Sequence, residues 1–176
     1  HHPSPSPRVL EIGFGTGLNA FLTLLYADKT QRTVHYTSLE RYPVAPELIS
    51  HLGYPERICP ERAVDFYALH RAAWEEDIPL TPYFTLHKVQ TDFTTYDFPD
   101  AYDVIYFDAF APEKQPEMWT QDLFDRLYHS LRPGGILTTY CAKGAVRRTL
   151  QAVGFTVERL PGPPEGKREI LRASKP

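Results

Sequence analysis

Three glycines at every second position close the run Val9-Leu10-Glu11-Ile12-Gly13-Phe14-Gly15-Thr16-Gly17, which joins a short apolar segment to one with helical spacing. Glycine is required where a chain turns sharply from strand to helix, where φ is positive, and where the backbone must approach a ligand without a Cβ in the way. A nucleotide cofactor is the expected occupant. The dinucleotide fingerprint is G-x-G-x-x-G, with the pyrophosphate on a helix N-terminus; here the third glycine comes one residue early. Glu11, just before the loop, would repel a pyrophosphate but suits a cationic amino-acid group. The pattern favours S-adenosylmethionine over a nicotinamide dinucleotide, with a glycine-rich turn that binds nothing as the plainer alternative.

Acidic residues recur where apolar runs end: Glu40 after Thr33–Leu39, Asp92 in Thr91-Asp92-Phe93, and Asp108 in Phe107-Asp108-Ala109-Phe110-Ala111-Pro112. If those runs are parallel strands, these carboxylates and Glu11 meet at the carboxyl edge of one sheet, where open α/β sheets bind ligands. Glu40 is then placed to accept from ribose hydroxyls, and Asp92 from an adenine amino group. Capping and loop roles are the alternative for each.

The elements that must position these residues alternate between strand-like and helix-like, which predicts an α/β fold with a mainly parallel sheet. Strands are expected at Arg8–Ile12, Thr33–Leu39, Tyr83–Val89, Tyr102–Phe107, Ile136–Tyr140, Phe155–Arg159 and Arg168–Arg172, seven in all. Helices are expected at Gly17–Tyr26, from Pro43 and Pro46 to about Leu52, at Glu61–Glu76 with Val64, Leu69 and Ala72 inward, at Trp119–Leu131 and at Ala142–Val153. Pro79 and Pro82 end the third of these. The turn-rich Pro161–Gly166 is too short for a crossover helix, so the last strand should run antiparallel to its neighbour.

At 176 residues the chain has the size of one domain, here 8–176, after a leader or tag remnant at 1–7 that is expected to be disordered. No apolar run approaches the roughly 20 residues of a membrane helix, and no signal-peptide pattern opens the chain; a cytoplasmic location is expected, without membrane partners. Cys59 and Cys141 form neither a disulfide framework nor a metal-ligand spacing, and no metal is expected. The net charge of −3 is uneven: residues 1–100 carry 8 Lys/Arg against 13 Asp/Glu, and residues 101–176 carry 11 against 9. A local basic face can serve an anionic partner even on an acidic chain.

The stretch Asp108-Ala109-Phe110-Ala111-Pro112-Glu113-Lys114-Gln115-Pro116-Glu117-Met118-Trp119 resembles the methyltransferase domain of MnmC-type enzymes, in which a strand ends in Asp-Gly/Ala-Phe-Ala-Pro followed by a Lys, a Pro and Met-Trp. Glu11 to Asn19 is similar to that family's cofactor loop. Gly144-Ala145-Val146-Arg147-Arg148, Gly154-Phe155 and Lys167-Arg168-Glu169 are similar to its C-terminal signature. The resemblance runs from about residue 8 to 172. It implies a Rossmann-like class I methyltransferase fold and binding of S-adenosylmethionine through Glu11, Gly13, Phe14, Gly15, Gly17, Asn19, Glu40, Asp92 and Asp108. It also implies methylation of the 5-aminomethyl group of uridine or 2-thiouridine at the tRNA wobble position, leaving S-adenosylhomocysteine.

An aliphatic ammonium is no nucleophile, so a methylated amine must first lose a proton, and Asp108 is the residue placed to orient it and take or relay that proton. The reacting base would be splayed from an anticodon loop onto aromatic side chains, with Phe14, Phe110 and Trp119 as candidates. Lys114, Lys143, Arg147, Arg148, Lys167 and Arg168 would meet tRNA phosphates. The chain is expected to be a stand-alone form without the flavin-dependent oxidase domain that some members carry. It departs from the family in having only seven residues before Arg8, where several tens help to form the substrate side; without them, cofactor binding is expected to outlast tRNA methylation. A transferase acting on a small amine, by methyl or aminopropyl transfer, and a non-catalytic cofactor-binding module are the competing readings.

Overall fold

The computed structural model describes residues 2–162, 166 and 169–176. Strands are β1 (Arg8–Ile12), β2 (Val34–Glu40), β3 (Asp77–Thr81), β4 (Phe84–Gln90), β5 (Tyr102–Phe107), β6 (Leu131–Thr139), β7 (Thr156–Pro161) and β8 (Glu169–Ser174). Helices are α1 (Leu18–Thr30), α2 (Pro46–Ile49), α3 (Tyr54–Ile58), α4 (Ala63–Arg71), α5 (Gln121–Ser130) and α6 (Gly144–Val153). The strands form one sheet in the order β3-β4-β2-β1-β5-β6-β8-β7. Parallel pairing joins β4, β2, β1, β5 and β6, while β3 runs antiparallel to β4, and β8 antiparallel to both β6 and β7. The predicted Rossmann-like sheet with an antiparallel last strand is present.

Among the described residues the strand count is eight, not seven. Pro79 and Pro82 read as helix breakers, but α4 ends at Arg71, well before either, and Pro79 sits within β3 opposite Thr85. A residue without an N–H fits an edge strand because one side of that strand needs no ladder partner. The helix expected over 61–76 is correspondingly shorter: a 3₁₀ turn at Pro60–Arg62 leads into α4, which stops at Arg71. That shift also turns Val64 outward, 66% exposed, while Phe66 and Leu69 enter the core.

Both faces of the sheet are packed, so its central strands are buried almost without alternation. On one face Leu10, Ile12, Ile105, Phe107 and Leu137 meet Leu123, Phe124 and Leu127 of α5 and Val146 and Leu150 of α6. On the other, Val9, Val34, Tyr36, Phe84 and Leu86 meet Phe21 and Leu24 of α1 and Phe66 and Leu69 of α4. Beside α1, an apolar groove of about 390 Å³ runs over Val104, Tyr106, Ile136 and Leu160. Residues 2–7 lie at its end without strand or helix; Arg32 donates to the carbonyls of His2 and Ser4, and Pro7 accepts from the His35 amide. No helix among the described residues is long and apolar enough to cross a membrane.

One carboxyl is enclosed within this core. Glu11, 1% exposed, projects from β1 and accepts from Ser38 Oγ on β2 at 2.6 Å. Burial drives its pKa from the ordinary 4.5 to about 8, against the opposing pull of hydrogen bonds led by that from Ser38. The folded protein therefore keeps a proton that the unfolded chain releases between about pH 4.5 and 8. Stability falls with rising pH wherever the native state binds more protons.

Two outcomes follow. Leu10→Ala, at a fully buried position of β1, should cost about 2–5 kcal/mol in denaturant unfolding. Glu11→Gln, which keeps the neutral shape, should gain stability over the parent protein progressively from about pH 4.5 to 8, with the difference level above that; a difference that does not change with pH would contradict the buried, protonated carboxyl.

Candidate active site

The carboxyl ends of β1, β2 and β5 converge on a cleft of about 580 Å³. Its floor is the turn from β1 into α1. Gly13 has φ +91°, and a Cβ there would lie 3.3 Å from the Asp108 carbonyl oxygen. Only a glycine lets these two backbones approach in that conformation. Hydrogen bonds then fasten the turn to its neighbours, from the Gly13 amide to Leu39 O at 2.8 Å and from the Asp108 amide to Ile12 O at 3.3 Å.

Glu40, at the end of β2, accepts from the Gly15 amide through Oε2 at 2.9 Å and from the Tyr42 amide through Oε1 at 2.8 Å. A carboxylate offers about four lone-pair sites, so acceptor capacity remains toward the cleft. Asp108 is exposed on the opposite wall, with Oδ2 accepting from Asn19 Nδ2 at 3.2 Å. Partial desolvation raises its carboxyl above the ordinary range, and the Asn19 bond draws it back. Phe110, 65% exposed, stands two residues further along the same loop and also lines the cleft.

Gly13, Phe14, Gly15, Asn19, Glu40, Asp108 and Phe110 are thus brought together, with Gly17 closing the turn just behind. Three expected residues, Glu11, Asp92 and Trp119, are placed off the lining, and Phe14 reaches it only as a buried ring. Glu11 lies beneath the floor, hydrogen-bonded to Ser38, rather than on the lining. Asp92 also stays off the lining: its Oδ1 accepts from the Thr94 amide and hydroxyl, and its Oδ2 pairs with Arg41 Nη1 at 2.6 Å. The bonds from Thr94, more than Arg41, hold its carboxyl below the ordinary range. Phe14 reaches the lining but is buried, its ring edge-on to His70 at 5.3 Å. Trp119 is in the core against Phe107 at 4.9 Å, and its indole donates to Phe110 O at 2.8 Å, so it anchors the Asp108–Gln115 loop rather than walling the cleft.

Of the basic residues, Lys143 caps α6 and pairs with Glu113, while Arg147 and Arg148 follow one turn later. Lys143 and Arg148 are exposed, and the Arg147 Nε is buried without a hydrogen-bond partner. Lys114 is exposed on the loop after Asp108. Lys167 and Arg168 lie outside the described residues. The cleft also uses residues that the sequence did not single out: Thr16, Arg41, Tyr42, Tyr54, Met118 and Tyr140. They sit on loops, strand ends and short helical turns, where no periodic pattern marks a side chain for the site; Tyr140 joins the wall through its hydroxyl, which donates to Ala109 O at 2.7 Å. Among the described residues, no group of three or more His, Cys, Asp or Glu is arranged to hold a metal ion.

An open glycine turn, a carboxylate with spare acceptor capacity at the end of β2 and an exposed carboxylate at the end of β5 suit a nucleoside that carries positive charge. Comparison with known proteins bears on the same point. The solved structure of MnmC2 from Aquifex aeolicus is similar over 98% of this chain and 55% of its own, at 25% identity and a TM-score of 0.71. Spermidine synthase from Thermotoga maritima shares the fold over 99% of this chain and 55% of its own, at 19% identity and a TM-score of 0.58. The methyltransferase SibL does so over 97% and 50%, at 20% identity and a TM-score of 0.52. The chain spans about half the length of each. Residues 69–176 match the model of a single family, and by that match the chain belongs to the S-adenosyl-L-methionine-dependent methyltransferases.

Proposed function

We propose that this domain methylates the 5-aminomethyl group of uridine or 2-thiouridine at the tRNA wobble position, giving the 5-methylaminomethyl nucleoside and S-adenosylhomocysteine. The observation that carries the reading is Asp108, an exposed carboxylate on the cofactor cleft, held by Asn19 and followed two residues later by the exposed Phe110. The similarity to MnmC2 over nearly the whole chain supports it. When bound, S-adenosylmethionine supplies a methyl carbon that an amine lone pair takes while the sulfur departs as a thioether.

The chain's own residues do the rest. Asp108 orients the amine and accepts its proton, a task favoured by the raised proton affinity that partial desolvation confers. Asn19 holds the carboxylate in place. Glu40 receives the ribose hydroxyls on its free lone pairs, and Phe110 offers a face on which an unstacked base can rest. Lys114, Lys143, Arg147 and Arg148 meet phosphates, with Lys167 and Arg168 assigned to the same role from the sequence. Glu11 contributes as a buried support of the floor, and a cytoplasmic location follows from the substrate. The whole stretch 8–176 acts as one domain.

The test is transfer of radiolabel from S-adenosylmethionine to tRNA bearing the 5-aminomethyl group, followed by nucleoside analysis. Label should enter the wobble nucleoside, and Asp108→Asn should lower the rate by about 10²- to 10⁴-fold, the usual contribution of a positioned general base. Label entering a small polyamine instead would favour the small-amine transferase, and no transfer with intact cofactor binding would favour a binding module. Affinity for tRNA should fall as salt rises, and Arg147→Ala with Arg148→Ala should reduce that salt slope by about 1–2; an unchanged slope would remove these residues from the interface.

A further inference from the structure

We propose that His70, on the last turn of α4, is a positioning residue for the cofactor: from behind the glycine turn it holds the Thr16 carbonyl and so fixes the Phe14–Gly17 segment that faces the cleft. Its Nε2 lies 3.1 Å from Thr16 O. A carbonyl only accepts, so the hydrogen of the imidazole sits on Nε2. His70 does not line the cleft, whereas Thr16 does.

Three further observations converge on this imidazole. The ring is wedged edge-on between Phe14 and Phe66, with centroids at 5.3 and 4.9 Å, which fixes its plane. A Cβ on Gly17 would come within 2.9 Å of Nε2, so the third glycine of the motif makes room for His70 as well as supplying φ +76°. Behind it, Lys88 of β4 is 1% exposed; its Nζ donates to the His70 carbonyl at 2.9 Å and lies over the rings of Trp74 and Phe14, at 4.6 and 5.4 Å. Lys88 thus ties the end of α4 to the sheet, and His70 ties it to the turn. Burial pushes the imidazole down to about 4, with Lys88 adding to the effect, so it stays neutral and its donor stays fixed at working pH.

The inference uses the cofactor assignment and is independent of the acceptor. Dissociation constants for S-adenosylmethionine, measured by calorimetry, should be compared for the parent protein, His70→Phe and His70→Gln, with melting temperatures alongside. His70→Phe keeps an apolar ring and loses the donor; affinity should fall about three- to tenfold, the worth of one neutral hydrogen bond. His70→Gln carries an amide nitrogen to nearly the position of Nε2 and should remain within about twofold of the parent. A purely structural role would track melting temperature and would not be rescued by Gln. Parent-like affinity in His70→Phe, or a loss in His70→Gln as large as in His70→Phe, would overturn the proposal. Should His70→Phe fail to fold, His70→Leu provides the same comparison.

Discussion

The backbone of Gly13 rests against the backbone of Asp108, at a distance that a Cβ would reduce to 3.3 Å from the carbonyl oxygen. Everything in the site is arranged around that approach. It brings the end of β1 beside the end of β5, while the Gly13 amide reaches across to Leu39 at the end of β2. Three strand ends are joined by two backbone hydrogen bonds, and each delivers a group to the same cleft: the glycine turn, Glu40 and Asp108. The rigidity comes from below, where β1, β2 and β5 are buried on both faces, and the side chains that meet ligands stand on the loops above.

Beneath the turn the protein buries polar groups that would be costly without partners. Glu11 keeps its proton in the native state, and Lys88 is held by a carbonyl and two aromatic faces while burial brings its pKa down from 10.5 to about 8. Neutralisation of the carboxyl and satisfaction of the ammonium are the two ordinary ways of lowering such a penalty. Both groups lie next to the cofactor turn rather than scattered through the core. The supports of the site and the cost of burying them therefore occur in the same place.

Much of this was legible in the sequence, for identifiable reasons. The bounds of β1 and β5 match the expectation because a run such as Tyr102–Phe107 is apolar except at Asp103 and is flanked by turn signals. The glycine turn, Glu40 and Asp108 were placed by their positions at strand ends, a rule of the fold that needs no side-chain detail. What escaped depends on context. Pro79 reads as a breaker in isolation and as an edge-strand residue only once β4 lies beside it. Asp92 looks like Glu40 in sequence, yet Arg41 and Thr94 claim its oxygens. Trp119 belongs to the family-like motif but serves it from the core, through one hydrogen bond to Phe110 O. His70 is separated from Thr16 by 54 residues, and no local spacing reveals that pairing.

The central claim is that the cofactor occupies the cleft between Glu40 and Asp108. A crystal structure of the protein with S-adenosylhomocysteine tests it most directly. The account predicts density over the Gly13–Gly17 turn, with ribose hydroxyls within hydrogen-bond distance of Glu40 and the sulfur facing the Asp108 side. Density in the apolar groove beside α1, or a ribose that leaves Glu40 untouched, would contradict it.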